Sequence, residues 1–201
     1  RFIIANLYFA GNNYPLAADA YYSYYKNYPL EEKAVSALYN AGLSERKADK
    51  SAEALNIYKE FLDNYRANPG GASIAFECVE IYKALNDEEN AVSMLKFIID
   101  NYPPDAGKAM LETGNSYTRK KDYDKAIKQY LEIEKLEGAR PEWIAAAFAR
   151  TGECYERKGQ WVDAENIYKR IIELKEIPED WRKAAEKRVM IIEEKNKKEA
   201  L

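Results

Sequence analysis

Asp122 and Asp124 flank Tyr123, and Glu193 stands beside Glu194. Paired carboxylates work as general acid and base when an apolar pocket raises the pKa of one of them. Neither pair has such surroundings. The first lies in a turn between two helical patterns, and the second on the charged side of a helix. Histidine is absent from all 201 residues, which removes histidine-dependent triads, imidazole proton shuttles and histidine-ligated metals together. Cys78 and Cys154 form no CxxC and no four-ligand cluster, so no metal site is expected. No glycine-rich phosphate loop, nucleophile elbow or kinase signature occurs. The expectation is a chain that is not an enzyme and takes no cofactor.

The stretch from Lys121 to Tyr130 reads instead as architecture. One helix ends at Lys120-Lys121, the chain turns through Asp122, and a second helix buries Tyr123, Ala126 and Tyr130. The same grammar recurs from Gly159 to Tyr168, from Asn86 to Leu95, from Lys50 to Tyr58 and from Asn13 to Tyr21. An alanine followed four residues later by Tyr or Leu stands at 17, 54, 91, 126 and 164, at spacings of 37, 37, 35 and 38. A period of that size marks stacked supersecondary units.

Each unit reads as helix A, a tight turn, helix B and a short connector. Leu38, Ala41, Gly42 and Glu45 share one face of a helix, as do Ala75, Cys78, Val79 and Tyr82. Met110, Thr113, Gly114 and Tyr117 repeat that face, and so do Phe148, Thr151, Gly152 and Tyr155. The small residues let helix B approach closely, and the periodic alanine of helix B is their expected partner. Tyr28-Pro29, Asn68-Pro69-Gly70-Gly71 and Tyr102-Pro103-Pro104 stop B helices, because proline lacks a donor and restricts the residue before it. Pro141 suits the first turn of the next helix. The pattern predicts one array over residues 1–201, with units at 1–31, 35–69, 72–104, 107–139 and 141–175. A capping helix at 178–196 follows, its apolar face through Trp181, Ala184, Ala185, Val189 and Ile192 covering the fifth unit. Residues 196–201 are expected to fray.

Hydrophobic content of 47% with 32% charged residues suits a soluble helical protein. The net charge of −3 is spread over both signs, and a nucleic-acid or anionic-membrane binder would need a basic face. No apolar run approaches the roughly 20 residues that span a bilayer, so a soluble chain without membrane insertion, cytoplasmic or periplasmic, is expected. The chain opens at Arg1 and Phe2-Ile3-Ile4-Ala5 already has helical character, the mark of an excised domain or processed chain. Cys78 and Cys154 lie two units apart, about 20 Å at ordinary helix spacings, too far for a disulfide.

On these residues the chain resembles the tetratricopeptide repeat family, a helix–turn–helix with small residues at the crossing, an aromatic late in helix A and a proline near the end. Gly114, Tyr117, Tyr123, Ala126 and Tyr130, and Gly152, Tyr155, Trp161, Ala164, Tyr168 and Ile171, carry the likeness most closely. The Asn-Tyr-Pro endings at 27–29 and 101–103 resemble those of bacterial envelope members. The resemblance implies an all-α, right-handed superhelical solenoid of antiparallel helix pairs, with A helices lining its concave face. It also implies a non-catalytic scaffold or adaptor that takes a peptide or partner helix there, or an array that positions a larger enzyme or an envelope or secretion assembly.

The residues placed on that face are Phe76, Glu80, Lys83, Leu111, Asn115, Thr118, Arg119, Arg150, Glu153 and Arg157. Asn115, Arg119 and Arg150 resemble the family's clamp for acidic C-termini, but Glu80, Glu112 and Glu153 would repel an acidic peptide. Tyr21, Tyr24, Tyr25 and Tyr28 share one face of the second helix. They suit either the core or an interface with a second copy or an N-terminal neighbour.

Overall fold

In the computed structural model, which describes residues 1–199, a single backbone conformation turns each helix A into its helix B. Asn12, Asp49, Asn86 and Lys121 have φ of 58°, 60°, 57° and 59°, and Gly159 has 72°. These five stand 37, 37, 35 and 38 residues apart, in step with the periodic alanines. The left-handed conformation ends a helix by carrying the chain back toward its last carbonyls. The next residue begins helix B. Asn13, Asp87 and Asp122 each accept a bond from the backbone N–H three residues on, at 3.4, 3.1 and 3.3 Å. Lys50 and Gln160 hold the same place without a side-chain cap. The turn therefore pivots on Lys121, and Asp122, expected to be the turn, is the cap of the helix that follows.

The chain divides into two compact units, Arg1–Tyr102 and Pro103–Leu201. The first holds α1 (Phe2–Ala10), α2 (Tyr14–Asn27), α3 (Ala34–Lys47), α4 (Ser51–Asn64), α5 (Gly71–Ala84) and α6 (Glu88–Asn101), each packed on the next. The second holds α7 (Pro103–Arg119), α8 (Tyr123–Leu131), a short 3-10 turn at Glu132–Lys135, α9 (Pro141–Arg157), α10 (Trp161–Glu173) and α11 (Glu179–Glu199). Its α-helices also pack in sequence, and α7 touches α9. Among the described residues there is no strand, and the fold is an all-α helical repeat. Pro103 and Pro104 occupy the first turn of α7, where a missing N–H costs nothing, so that helix starts ahead of the expected 107. Helix α11 continues through the stretch expected to fray as far as Glu199, and Ala200 and Leu201 lie outside the described residues.

The periodic alanines Ala17, Ala54, Ala91, Ala126 and Ala164 are all fully buried. They are not what the helix A glycines receive. A Cβ on Gly42 would stand 2.5 Å from Tyr58 Cε1, one on Gly114 2.2 Å from Tyr130 Cε1, and one on Gly152 2.5 Å from Tyr168 Cζ. Close packing needs a hole opposite a ring, not one small residue opposite another. The register that pairs these residues also matches Ala5 with Tyr21 and Val79 with Leu95, all four buried, the larger Val79 falling in step with the smaller Leu95.

Tyrosines of α2 are used within the first unit. Tyr21, Tyr24 and Tyr25 are buried, and Phe2 meets the rings of Tyr21 and Tyr24 edge-on at 5.5 and 5.3 Å. Tyr22 donates to Glu60 Oε2 on α4 at 2.8 Å. Glu45, at a place where the other units carry tyrosine, is buried as well, with Lys50 Nζ 3.6 Å away.

Candidate functional site

Two of the tyrosines laid across a helix A bond through their hydroxyls to the residue that follows the small one. Tyr21 donates to Asn6 Oδ1 at 2.6 Å and Tyr130 to Asn115 Oδ1 at 2.8 Å. In the second repeat that place is Leu43, and the Tyr58 hydroxyl is buried without a partner. In the fifth it is Glu153, and Tyr168 reaches Glu156 Oε1 instead, at 2.9 Å. Thr118 joins the Tyr130 crossing, its Oγ1 3.2 Å from the phenol, 3.0 Å from the Gly114 carbonyl it donates to and 3.6 Å from Cys154 Sγ. Burial pushes the Tyr130 hydroxyl up to about 12. Asn115 and Thr118, expected on a binding face, are half-buried and hydrogen-bonded at this helix crossing.

The other expected residues fall on two units. Phe76, Glu80 and Lys83 belong to α5 of the first, where the Lys83 ammonium donates to Glu80 at 2.9 Å. The rest lie on α7 and α9 of the second. Leu111 is half-buried, while Arg119 and Arg157 are exposed. Arg119 donates to Ser116 Oγ at 2.9 Å. Arg150 pairs with Glu153 at 3.0 Å, and that carboxylate is the main reason its pKa lies above the ordinary value.

The sequence reading did not find a concavity of the second unit. A cleft of about 710 Å³ lies between α9 and α11. Ala149 and Glu153 form one side, Tyr168 and Ile171 of α10 the floor, and Trp181, Ala184, Lys187, Arg188 and Ile191 the other side. Of the expected residues only Glu153 lines it. Its volume falls in the range of ligand pockets. One clasp joins its two sides. Arg188 donates through Nε to Glu156 Oε1 at 3.1 Å and through Nη2 to Oε2, and Tyr168 shares the same carboxylate. Burial, then Glu156, pushes the Tyr168 phenol up, and Glu156 keeps Arg188 more firmly protonated. At the base of α11, Arg182 donates to the carbonyls of Ile172 and Leu174 at 3.2 and 3.0 Å, capping the end of α10.

Ala185, Val189 and Ile192 bury the expected capping face of α11 against α9 and α10. Trp181 and Ala184, expected to join them, are exposed and form the cleft wall. A smaller concavity of about 330 Å³ in the first unit is lined by Tyr39 of α3, Phe61 of α4 and Ser73 and Ile74 of α5. Among the described residues no acidic or cysteine cluster could hold a metal ion, and no helix is long and apolar enough to cross a membrane.

Family models described as tetratricopeptide repeat match residues 1–30 and 36–67, residues 79–150 and residues 147–185. A search of curated proteins finds no match. Among solved structures, a tetratricopeptide repeat protein from Parabacteroides merdae is 19% identical with a TM-score of 0.58, over 94% of this chain and 69% of that one. The MamA protein is 21% identical with a TM-score of 0.58, over 87% and 94% of the two chains. The apo form of RapI is 14% identical with a TM-score of 0.69, and the chain covers 55% of its length. At such identities the likeness is one of fold.

Proposed function

The chain belongs to the tetratricopeptide repeat family, a family of protein-interaction scaffolds, and we propose that this array takes a peptide segment or partner helix on its second unit. The observation that carries the proposal is the α9–α11 cleft. It combines an apolar floor and walls with charged residues of both signs at its edge, the arrangement that gives a recognition site both affinity and orientation. Its role is to hold a partner, not to transform it. The charged groups that line it are ordinary rim charges and a structural ion pair, with no activated nucleophile among them.

The test is selection of random peptides displayed on phage against this chain. Selected peptides should lose at least about ten-fold in affinity for an Ala184→Glu variant, since a charge placed in an apolar recognition site costs more than about 1.4 kcal/mol. Peptides that bind Ala184→Glu and Leu111→Asp as well as the original chain would show the reading to be wrong.

A further inference from the structure

Two tryptophans in equivalent places meet different neighbours, and the difference explains why the cleft exists. A Cβ on Gly107 would stand 2.2 Å from Trp143 Cε3 and 2.7 Å from its Cδ2 and Cζ3. The Trp143 indole therefore lies flat on the backbone of α7 and fills the seam between α7 and α9. Thirty-eight residues on, the spacing of this last repeat, the pair becomes Ala145 and Trp181. Ala145 is fully buried in the core cluster, and by its equivalence to Gly107 it carries the Cβ that an indole laid flush as Trp143 is would meet. Trp181 stands 37% exposed as a wall of the cleft.

On the reading of function given above, we infer that the α9–α11 cleft is a socket for one aromatic side chain of a partner polypeptide, and that residue 145 decides whether the socket is open. The cleft stands one repeat beyond the α7–α9 interface that Trp143 fills, and the equivalent ring, Trp181, lines its wall. A partner's ring can stack beside Trp181 over Tyr168 and Ile171, with Ala149 and Ala184 too small to block it. Charge sets the flanks. Asp180 and Lys187 make no ion pair among the described residues, whereas Arg188 is committed to Glu156. Seven helical residues separate them, about 10 Å along α11. The matching segment carries a basic residue on the Asp180 side of its aromatic residue and an acidic one on the Lys187 side.

The three tryptophans give three indole N–H signals by nuclear magnetic resonance, so the full chain can be titrated with N-acetyltryptophanamide and, separately, N-acetylleucinamide. The Trp181 signal should move saturably with the aromatic probe and about five-fold more weakly with the aliphatic one. Ala145→Gly should close the socket and remove the response. Ala184→Phe, which fills the cleft from an exposed position, should do the same without touching the core. A response confined to Trp143 or Trp161, an equal response to both probes, or a full response kept by both variants would overturn the inference. Loss of displayed-peptide binding in Ala184→Glu without any response to the aromatic probe would reject the socket and leave the groove standing. A probe response with no displayed peptide selected would reject the groove alone.

Discussion

Gly114 lies beneath the ring of Tyr130 so closely that a Cβ there would stand 2.2 Å from Cε1. Neither residue can move alone, because Ala126 is fully buried on the same helix and Asn115 holds the phenol at 2.8 Å. Gly114→Ala should therefore destabilise the second unit by about 1–2 kcal/mol. The overpacking cost of roughly 1–3 kcal/mol exceeds the up to about 1 kcal/mol that alanine gains over glycine within a helix. Urea unfolding would show it as a lowered midpoint at unchanged slope, and an unchanged midpoint would mean the ring yields freely.

Tyr58 and Tyr130 occupy equivalent places with opposite hydrogen bonding. The Tyr130 hydroxyl has Asn115 and Thr118, while that of Tyr58 is buried with none. Tyr130→Phe should cost about 1 kcal/mol, and Tyr58→Phe should be neutral or stabilising, since it removes a buried polar atom that has no partner. Thermal midpoints of the two variants compared side by side test this, and equal losses would refute it.

Lys121 adopts φ of 59° where its equivalent in the fifth repeat is Gly159. The left-handed conformation costs a side-chain-bearing residue about 1–2 kcal/mol, partly offset by the entropy glycine loses on folding. Lys121→Gly should stabilise the second unit by about 0.5–1 kcal/mol, read as a raised urea midpoint.

Burial raises the Glu45 carboxyl pKa, with Lys50 opposing it and Glu53 and Asp19 adding smaller upward pushes. A carboxyl whose folded pKa is raised favours folding while protonated. Its contribution is complete below the unfolded value of about 4.3 and is lost as pH rises through the folded value. Asp122 acts the other way. Its pKa is lowered, first by its bond with Lys125, so its contribution is present above the unfolded value and lost as pH falls. Glu45→Gln should thus remove a loss of stability on the rising side of mildly acid pH. Thermal midpoints of the two proteins measured from pH 4 upward should differ most at neutrality.

Much of this architecture was legible because fold and sequence share one period. Ala17 and its four equivalents, and Tyr21 with Tyr58, Tyr130 and Tyr168, announce the helix pairs, since a buried face must repeat wherever the packing repeats. What escaped was whatever depends on pairing or on a single departure. Small residues of helix A were matched with the small residues of helix B, although volume demands that Gly114 meet Tyr130. Lys121 gave no sign of a left-handed backbone, because lysine is not a turn-former and only its register with Asn12, Asp49 and Asn86 exposes it. The cleft turns on Gly107 against Ala145, a difference that disappears when repeats are aligned for what they share. Trp181 was therefore assigned to the core, where Trp143 makes its contact.

From the crossing residue of helix A to the side chain matched with it on helix B there are sixteen residues in every repeat: from 5 to 21, 42 to 58, 114 to 130 and 152 to 168, where a small residue receives a ring, and from Val79 to Leu95, where neither holds. From each of these helix B positions to the next helix A position the count is 21, 21, 19 and 22. Length is thus fixed within the elbow and free in the connectors, as in a text whose words keep their spelling while the spaces between them vary. A residue inserted between Gly114 and Tyr130 would put the ring out of phase with its hole. The same residue inserted at Gly138, where φ is 69° and a Cβ would meet nothing within 4 Å, would only lengthen a gap. The elbows can therefore be cut apart and rejoined at their connectors as interchangeable parts, with residue 145 as the part number that selects an open or a closed seam.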